Sequence, residues 1–182
     1  LKDVETSKTE LESLIADLIK DIKQRFTESF DDINNHFGML FSEIFGGGEA
    51  RLQLSDPDDV LNSDVEIYAA PPGKVIKSLS LLSGGEKSMV ALTIYLAILL
   101  HRPTPFCMLD EVDAALDEAN VQKYATYLKR FSHNTQLMVI THRRGTIELC
   151  DVLYGVYMQE KGVSGLLRQE FSEEFLNEVE NA

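Results

Sequence analysis

The segment Phe106-Cys107-Met108-Leu109-Asp110-Glu111 is an apolar run that ends in two adjacent carboxylates. It has the form of a Walker B strand. Asp110 at the strand's carboxyl end can hold the water shell of a magnesium ion, and Glu111 can orient or deprotonate a water that attacks a phosphate. An Asp-Glu pair after an apolar run is commonly just a solubilising charge. Its position 27 residues after Ser83 makes the match more specific.

That serine opens Ser83-Gly84-Gly85-Glu86, an S-x-x-E capping box. A helix start alone does not need Gly84-Gly85, which lowers helix propensity. Without side chains in the first turn, the unpaired amides at the positive end of the helix dipole are open to an anion. The segment is not a Walker A loop: Glu86 separates Gly85 from Lys87, and no glycine stands five residues before Gly85. Nor does Gly73-Lys74 qualify, because Val75 follows it. This open helix start can receive a phosphate from outside.

Two further elements follow in order. Ala114-Ala115-Leu116-Asp117 lies just beyond the carboxylates, and Val139-Ile140-Thr141-His142 ends the next apolar run with a histidine. A lone histidine at a strand end is usually a plain surface residue. Here strand ends of one parallel sheet are expected to converge on one crevice.

The elements that must position these groups are legible from periodicity. Apolar residues from Leu11 to Ile44 recur about every 3.7 residues, which predicts one long straight helix rather than a left-handed supercoil. Its Lys/Glu-rich beginning (residues 1–25) reads as a solvated arm and its Phe-rich end (26–45) as an entry into a globule, stopped by Gly46-Gly47-Gly48. Strands are expected at 50–54 and 64–70, with Asp56-Pro57-Asp58-Asp59 as the turn. Helices are expected at 84–101, 118–131 and about 146–150, and strands at 106–109, 136–141, 152–158 and 163–168. This alternation predicts an α/β fold with a sheet flanked by helices. The domain division expected is 1–45 for the arm and entry helix, 46–170 for the α/β lobe, and 171–182 for an acidic tail.

Composition narrows the function classes. With 182 residues and 44% hydrophobic content the chain can bury a core, while a formal charge of −13 argues against a general nucleic-acid binder, so any DNA contact must be local. No apolar run is long enough for a membrane span and no targeting pattern is present, so a cytoplasmic location is expected. Cys107 and Cys150 sit in apolar surroundings and read as inert thiols. Leu1 opens inside a helical pattern without an initiator Met, which suggests a piece of a longer protein.

The ordered set Leu82-Ser83-Gly84-Gly85-Glu86-Lys87, Leu109-Asp110-Glu111-Val112-Asp113-Ala114-Ala115-Leu116-Asp117 and Thr141-His142-Arg143-Arg144-Gly145-Thr146 resembles the head domain of SMC proteins, chromosome-organising ATPases related to ABC ATPases. The His-Arg-Arg-Gly-Thr wording and Asp151-Val-Leu-Tyr-Gly-Val156 resemble the bacterial branch, and the likeness spans roughly residues 26–168. The resemblance implies the carboxyl-terminal lobe of a P-loop, ABC-type head: a mostly parallel sheet flanked by helices, with a long amino-terminal helix derived from the coiled coil. It also implies the missing phosphate loop, because the family's Walker A lysine belongs to an amino-terminal half.

The resemblance further implies roles. Ser83, Gly84, Gly85 and Glu86 would be the signature loop, binding the γ-phosphate of ATP seated on a second head; Asp110 would hold Mg2+ through water. Glu111 and His142 would be catalytic, as base and switch histidine, and Ala115, Leu116 and Asp117 would form the D-loop. The partners implied are the amino-terminal half of the same head, a second SMC head in a homodimer, a kleisin-type subunit and DNA, with no membrane. The implied activity is ATP hydrolysis in chromosome condensation and segregation, in the cytoplasm at the nucleoid. Rival readings are a coiled-coil DNA-repair ATPase of the same superfamily, a transporter nucleotide-binding domain, and a non-catalytic docking domain. The helical arm speaks against the transporter, and Glu111 beside Asp110 against the docking domain.

Overall fold

The computed structural model describes residues 2–73, 77–79 and 82–170. The expected acidic tail, 171–182, lies outside the described residues. The chain divides into two compact units between Pro103 and Thr104.

The first unit begins with a single helix, α1 (Lys2–Phe45). Side chains four apart reinforce it in solvent: Arg25 pairs with Asp21 at 2.8 Å and Lys8 with Glu12 at 3.6 Å, each exposed pair contributing about 0.3–0.5 kcal/mol. Burial changes along it. Leu11, Leu14, Ile15, Leu18, Ile19 and Ile22 form an exposed apolar stripe, whereas Phe37, Leu40, Phe41 and Ile44 are at most 4% exposed and form core. Aromatic stacking of Phe41 on Phe45, with ring centroids 4.2 Å apart, continues this buried end.

Next come β1 (Glu49–Leu54), β2 (Val65–Ala70), the two-residue β3 (Lys77–Ser78) and α2 (Gly84–His101). The three strands form an antiparallel sheet in the order β1-β2-β3. Asp56 shapes the β1–β2 turn, its Oδ1 accepting from the Asp58 and Asp59 amides at 3.0 and 3.2 Å. Asn34 fastens β1 to α1 with both amide atoms: Nδ2 donates to the Leu52 carbonyl at 3.1 Å, and Oδ1 accepts from the Leu52 amide at 2.7 Å. α2 packs on α1, and its Met89, Val90, Leu96 and Leu99 are buried. His101 at its last turn lies 3.4 Å from Asp32 of α1.

The α1–β1 corner depends on glycine. Gly46, Gly47 and Gly48 have φ of 72°, 122° and 88°, and a Cβ on Gly48 would lie 2.3 Å from the Ala70 carbonyl oxygen. Gly48→Ala therefore meets both backbone strain and a backbone clash. We expect it to destabilise the fold by about 2 kcal/mol or more, read as a lower midpoint in chemical denaturation. An unchanged midpoint would contradict this account of the corner.

The second unit contains β4 (Phe106–Asp110), α3 (Glu118–Phe131), β5 (Gln136–Ile140), α4 (Arg144–Ile147), β6 (Val152–Glu160) and β7 (Val163–Glu170). β4 and β5 pair in parallel, with α3 as the connection that parallel pairing requires, and Asp110 opposite Ile140 in the register. β6 and β7 form an antiparallel hairpin across Gly162, whose φ is 85°. Parallel pairing within the described residues is confined to β4–β5, since β1–β2, β2–β3 and β6–β7 all pair antiparallel. Val121, Tyr124, Ala125 and Leu128 form the buried face of α3.

The short helix α4 begins at Arg144, ahead of the expected start at Thr146. Gly145 lies inside it rather than before it, because a Cβ there would come 2.8 Å from Gln122 Nε2 and 3.1 Å from Val121 Cγ1, so glycine lets α4 rest on α3. Beyond Ile147 the chain closes tighter turns, with the Leu149 amide bonded to the Thr146 carbonyl and the Cys150 amide to the Ile147 carbonyl. Cys107 is buried, Cys150 half-buried, and neither is in a disulfide; burial pushes the Cys150 thiol up, which suppresses its reactive thiolate.

Candidate functional site

In the second unit, the ladder that builds the β4–β5 sheet also aims the acidic pair. Asp110 ends β4 exposed, and the Glu111 amide still donates to the Ile140 carbonyl at 2.9 Å. Glu111 then takes φ of 49°, the single positive φ outside glycine among the described residues. Such a conformation costs about 1–3 kcal/mol and marks a position where side-chain direction is held by its surroundings. The Glu111 side chain is 62% exposed, and its Oε1 lies 3.9 Å from His142 Nδ1, just beyond the end of β5. Glu111 and His142, 31 positions apart in sequence, are therefore brought together at one end of the parallel pair.

Two turns lead on from Glu111. The Ala114 amide donates to the Glu111 carbonyl at 3.1 Å, and the Leu116 amide to the Asp113 carbonyl at 3.1 Å. Leu116 is 3% exposed and anchors the loop, while Ala115 and Asp117 face solvent. Asp117 caps α3, accepting from the Asn120 amide at 2.9 Å and from Asn120 Nδ2 at 3.2 Å.

Sequence reasoning passed over Asp113. It is fully buried, and its Oδ2 accepts from Thr141 Oγ1 at 2.7 Å and from Thr146 Oγ1 at 2.5 Å. Thr141 Oγ1 in turn accepts from the Arg143 amide at 2.9 Å, and Arg143 Nη2 donates to Glu118 at 3.2 Å. The available signal was a third acid between Val112 and Ala114, together with two threonines flanking His142. An acid among small apolar residues needs hydroxyl or amide partners, and those threonines are the nearby supply in Thr141-His142-Arg143-Arg144-Gly145-Thr146.

Ser83, Gly84, Gly85 and Glu86 belong to the first unit and form the start of α2. The capping box is complete. Glu86 Oε2 accepts from the Ser83 amide at 3.0 Å and from Ser83 Oγ at 2.9 Å, and the Glu86 amide donates to Ser83 Oγ at 3.4 Å. Gly84 is exposed, and a Cβ on it would meet nothing within 4 Å, so this face of the helix start is open.

The family model for the RecF/RecN/SMC N terminal domain matches residues 2–165. The chain belongs to this family. Within it, the chain is 50% identical over 172 residues to the chromosome partition protein Smc of Bacillus subtilis (strain 168), a match covering 94% of this chain and 14% of that protein. Among solved structures, it is similar to an Smc head domain with an extended coiled coil bound to the C-terminal domain of ScpA, derived from Pyrococcus furiosus. That likeness has a TM-score of 0.83 at 35% identity and covers 99% of this chain and 45% of that one. It is also similar to a chain from a study of ATP-driven dimerization and DNA-stimulated activation of SMC ATPases, with a TM-score of 0.76, 36% identity and coverage of 87% and 97%. The fold is therefore the α/β fold of an SMC head carrying a long amino-terminal helix. The matches to bacterial Smc proteins agree with the bacterial branch of the family.

Proposed function

We propose that this chain is the carboxyl-terminal lobe of an SMC ATPase head, completed by an amino-terminal half that carries the Walker A loop. The observation that carries this reading is Glu111: a strained acid at the carboxyl end of a parallel strand, with a histidine 3.9 Å away. One uncovered sheet face supports the need for a second half. Phe106, Met108, Met138 and Ile140 on β4 and β5 are 49–64% exposed, whereas a parallel sheet is ordinarily covered on both faces.

In the completed head, Glu111 takes the proton of the attacking water as the water oxygen bonds to the γ-phosphorus of ATP. The bond from that phosphorus to the β–γ bridging oxygen breaks, releasing ADP and phosphate, while His142 holds the γ-phosphate side of the site. Asp110 suits magnesium, since it is an exposed hard oxygen donor beside the catalytic acid, and this ion takes one or two carboxylates plus water and phosphate. Bound there, Mg2+ would neutralise charge developing on the phosphates. Ser83, Gly84, Gly85 and Glu86 contact the nucleotide of a second head, so two heads sandwich two ATP molecules, with Ala115, Leu116 and Asp117 as the D-loop between them. The exposed stripe from Leu11 to Ile22 would pair with the returning strand of a coiled coil, which makes residues 1–45 the stump and entry helix, 46–170 the lobe and 171–182 a tail.

The Pyrococcus furiosus relative is bound to the C-terminal domain of ScpA, and we extend a kleisin-type partner of that kind, and DNA in the full complex, to this head. The whole cycle would serve chromosome condensation and segregation at the nucleoid in the cytoplasm. No described helix is long and apolar enough to cross a membrane.

The test is reconstitution. We expect the chain alone neither to bind ATP tightly nor to hydrolyse it, because the lysine and amides that cradle the β- and γ-phosphates lie outside its sequence. Co-production with the amino-terminal half of its own head should restore both, as seen by calorimetry and phosphate release. Micromolar ATP affinity of the isolated chain, or no hydrolysis by the reconstituted head, would overturn the proposal.

A further inference from the structure

We infer that Asp113 is a positioning residue for His142, acting through the Thr141 hydroxyl. This inference rests on the reading of Glu111 and His142 as parts of an ATPase site.

Asp113 is an expensive residue to bury. It is fully inaccessible, both hydroxyls that it receives fall on Oδ2, and Oδ1 has no hydrogen-bond partner among the described residues. A buried polar atom without a partner lowers stability, so packing alone gives no reason for a carboxyl here. What the carboxyl does is fix one hydroxyl rotor. Thr141 Oγ1 donates to Asp113, and this leaves a lone pair that accepts from the Arg143 amide. The bond from residue 143 back to the side chain of residue 141 closes a small turn whose central residue is His142. Arg143 is held again by its ion pair with Glu118 on the first turn of α3. His142 thus projects from a backbone clamped on both sides, although its own ring is 66% exposed and stands 3.9 Å from Glu111.

The backbone of Asp113 is tied the other way along the chain. Asp113 lies two residues after Glu111, and its carbonyl accepts from the Leu116 amide in the turn that presents Ala115 and Asp117. One buried side chain therefore joins the exposed loop after the catalytic acid to the backbone that carries the histidine. A displacement of that loop would be felt at His142 through two hydrogen bonds.

The experiment uses the reconstituted head with four variants of this chain: Asp113→Ala, Asp113→Asn, Thr141→Val and Thr146→Val. Asp113→Ala and Thr141→Val should each lower kcat by on the order of 10-fold or more, with ATP Kd held within about 2-fold. Their double variant should lose no more than the worse single, because both break one chain of contacts. Asp113→Asn keeps an acceptor oxygen for the hydroxyls and should recover most of the loss. Thr146→Val removes the other hydroxyl on Asp113 and should lower Tm without the drop in kcat. Amide exchange supplies a readout apart from turnover: the Arg143 amide should exchange about 10-fold faster in Asp113→Ala and remain protected in Asp113→Asn. Should Asp113→Ala fail to fold, Asp113→Leu fills the same space without an acceptor and takes its place.

Wild-type kcat in Thr141→Val, kcat that merely follows Tm across the four variants, or unchanged Arg143 exchange in the Ala or Leu variant would each overturn the inference. If the wild-type head hydrolyses no ATP, the proposed function fails instead. The exchange measurement on the same samples still decides whether Asp113 sets the His142 turn.

Discussion

In the reconstituted head, Glu111→Gln is expected to retain ATP binding while slowing hydrolysis by on the order of 10²-fold or more. The reasoning starts from the backbone. Glu111 holds φ of 49° with its amide bonded to the Ile140 carbonyl, so the side chain is directed by the β4–β5 ladder and not by its own charge. Glutamine has the same length and an acceptor oxygen, and it should keep the direction and much of the hydrogen bonding to a water. It lacks a basic oxygen to take the proton, and that is the loss read in kcat. Because nothing that binds nucleotide is removed, ATP-bound paired heads should accumulate, visible as a nucleotide-dependent dimer in size-exclusion chromatography with light scattering. Turnover at the wild-type rate would show that another group accepts the proton.

Ser83→Arg is expected to abolish ATP-dependent pairing of heads while leaving ATP binding to the substituted head intact. Ser83 caps α2 in an extended conformation, and Gly84 leaves the space beside it open. A guanidinium at position 83 removes the hydroxyl of the capping box and puts a long side chain where a phosphate from another head must approach closely. It also breaks the reciprocal bonds between Ser83 and Glu86, so a loss of roughly 1 kcal/mol in stability accompanies the change. That loss is too small to unfold a domain of ordinary stability, so pairing can be read separately from folding. Unaltered dimerisation of this variant would refute the role of the Ser83 loop in trans.

Much of the fold was legible because its signals are local. The helix at 84–101 appears with its expected bounds, opened by the capping serine Ser83 and followed two residues on by Pro103, which cannot continue a helix, and α3 runs over Glu118–Phe131 as its pattern predicts. β3 was missed because two residues are too few to show a period of two. α4 starts at Arg144, two residues before the expected Thr146, because the missing side chain of Gly145 admits α3, a tertiary contact with no local signal.

The site divides in the same way. Ser83, Asp110, Glu111 and His142 could be named because each ends or starts an element, and motifs record such positions. Neither the positive φ of Glu111 nor the burial of Asp113 has a local signature. The first arises from a ladder bond to a strand about 30 residues away, and the second from threonines 28 and 33 positions downstream.

The central claim is that the Glu111 of one head and the Ser83 of the other act on one ATP. Tethered pairs of reconstituted heads test it most directly, by measuring phosphate release with the Ser83→Arg and Glu111→Gln lesions placed either on opposite heads or together on one head. With the lesions on opposite heads, both fall on one nucleotide and the second site keeps its own Glu111 and an intact Ser83 from its neighbour. That pair should retain up to about half of wild-type hydrolysis if the sites are independent. With both lesions on one head, each site loses one essential group and hydrolysis should vanish. The reverse result, activity surviving with both lesions on one head and lost when they are split, would show that Ser83 serves the nucleotide of its own head and would contradict the account.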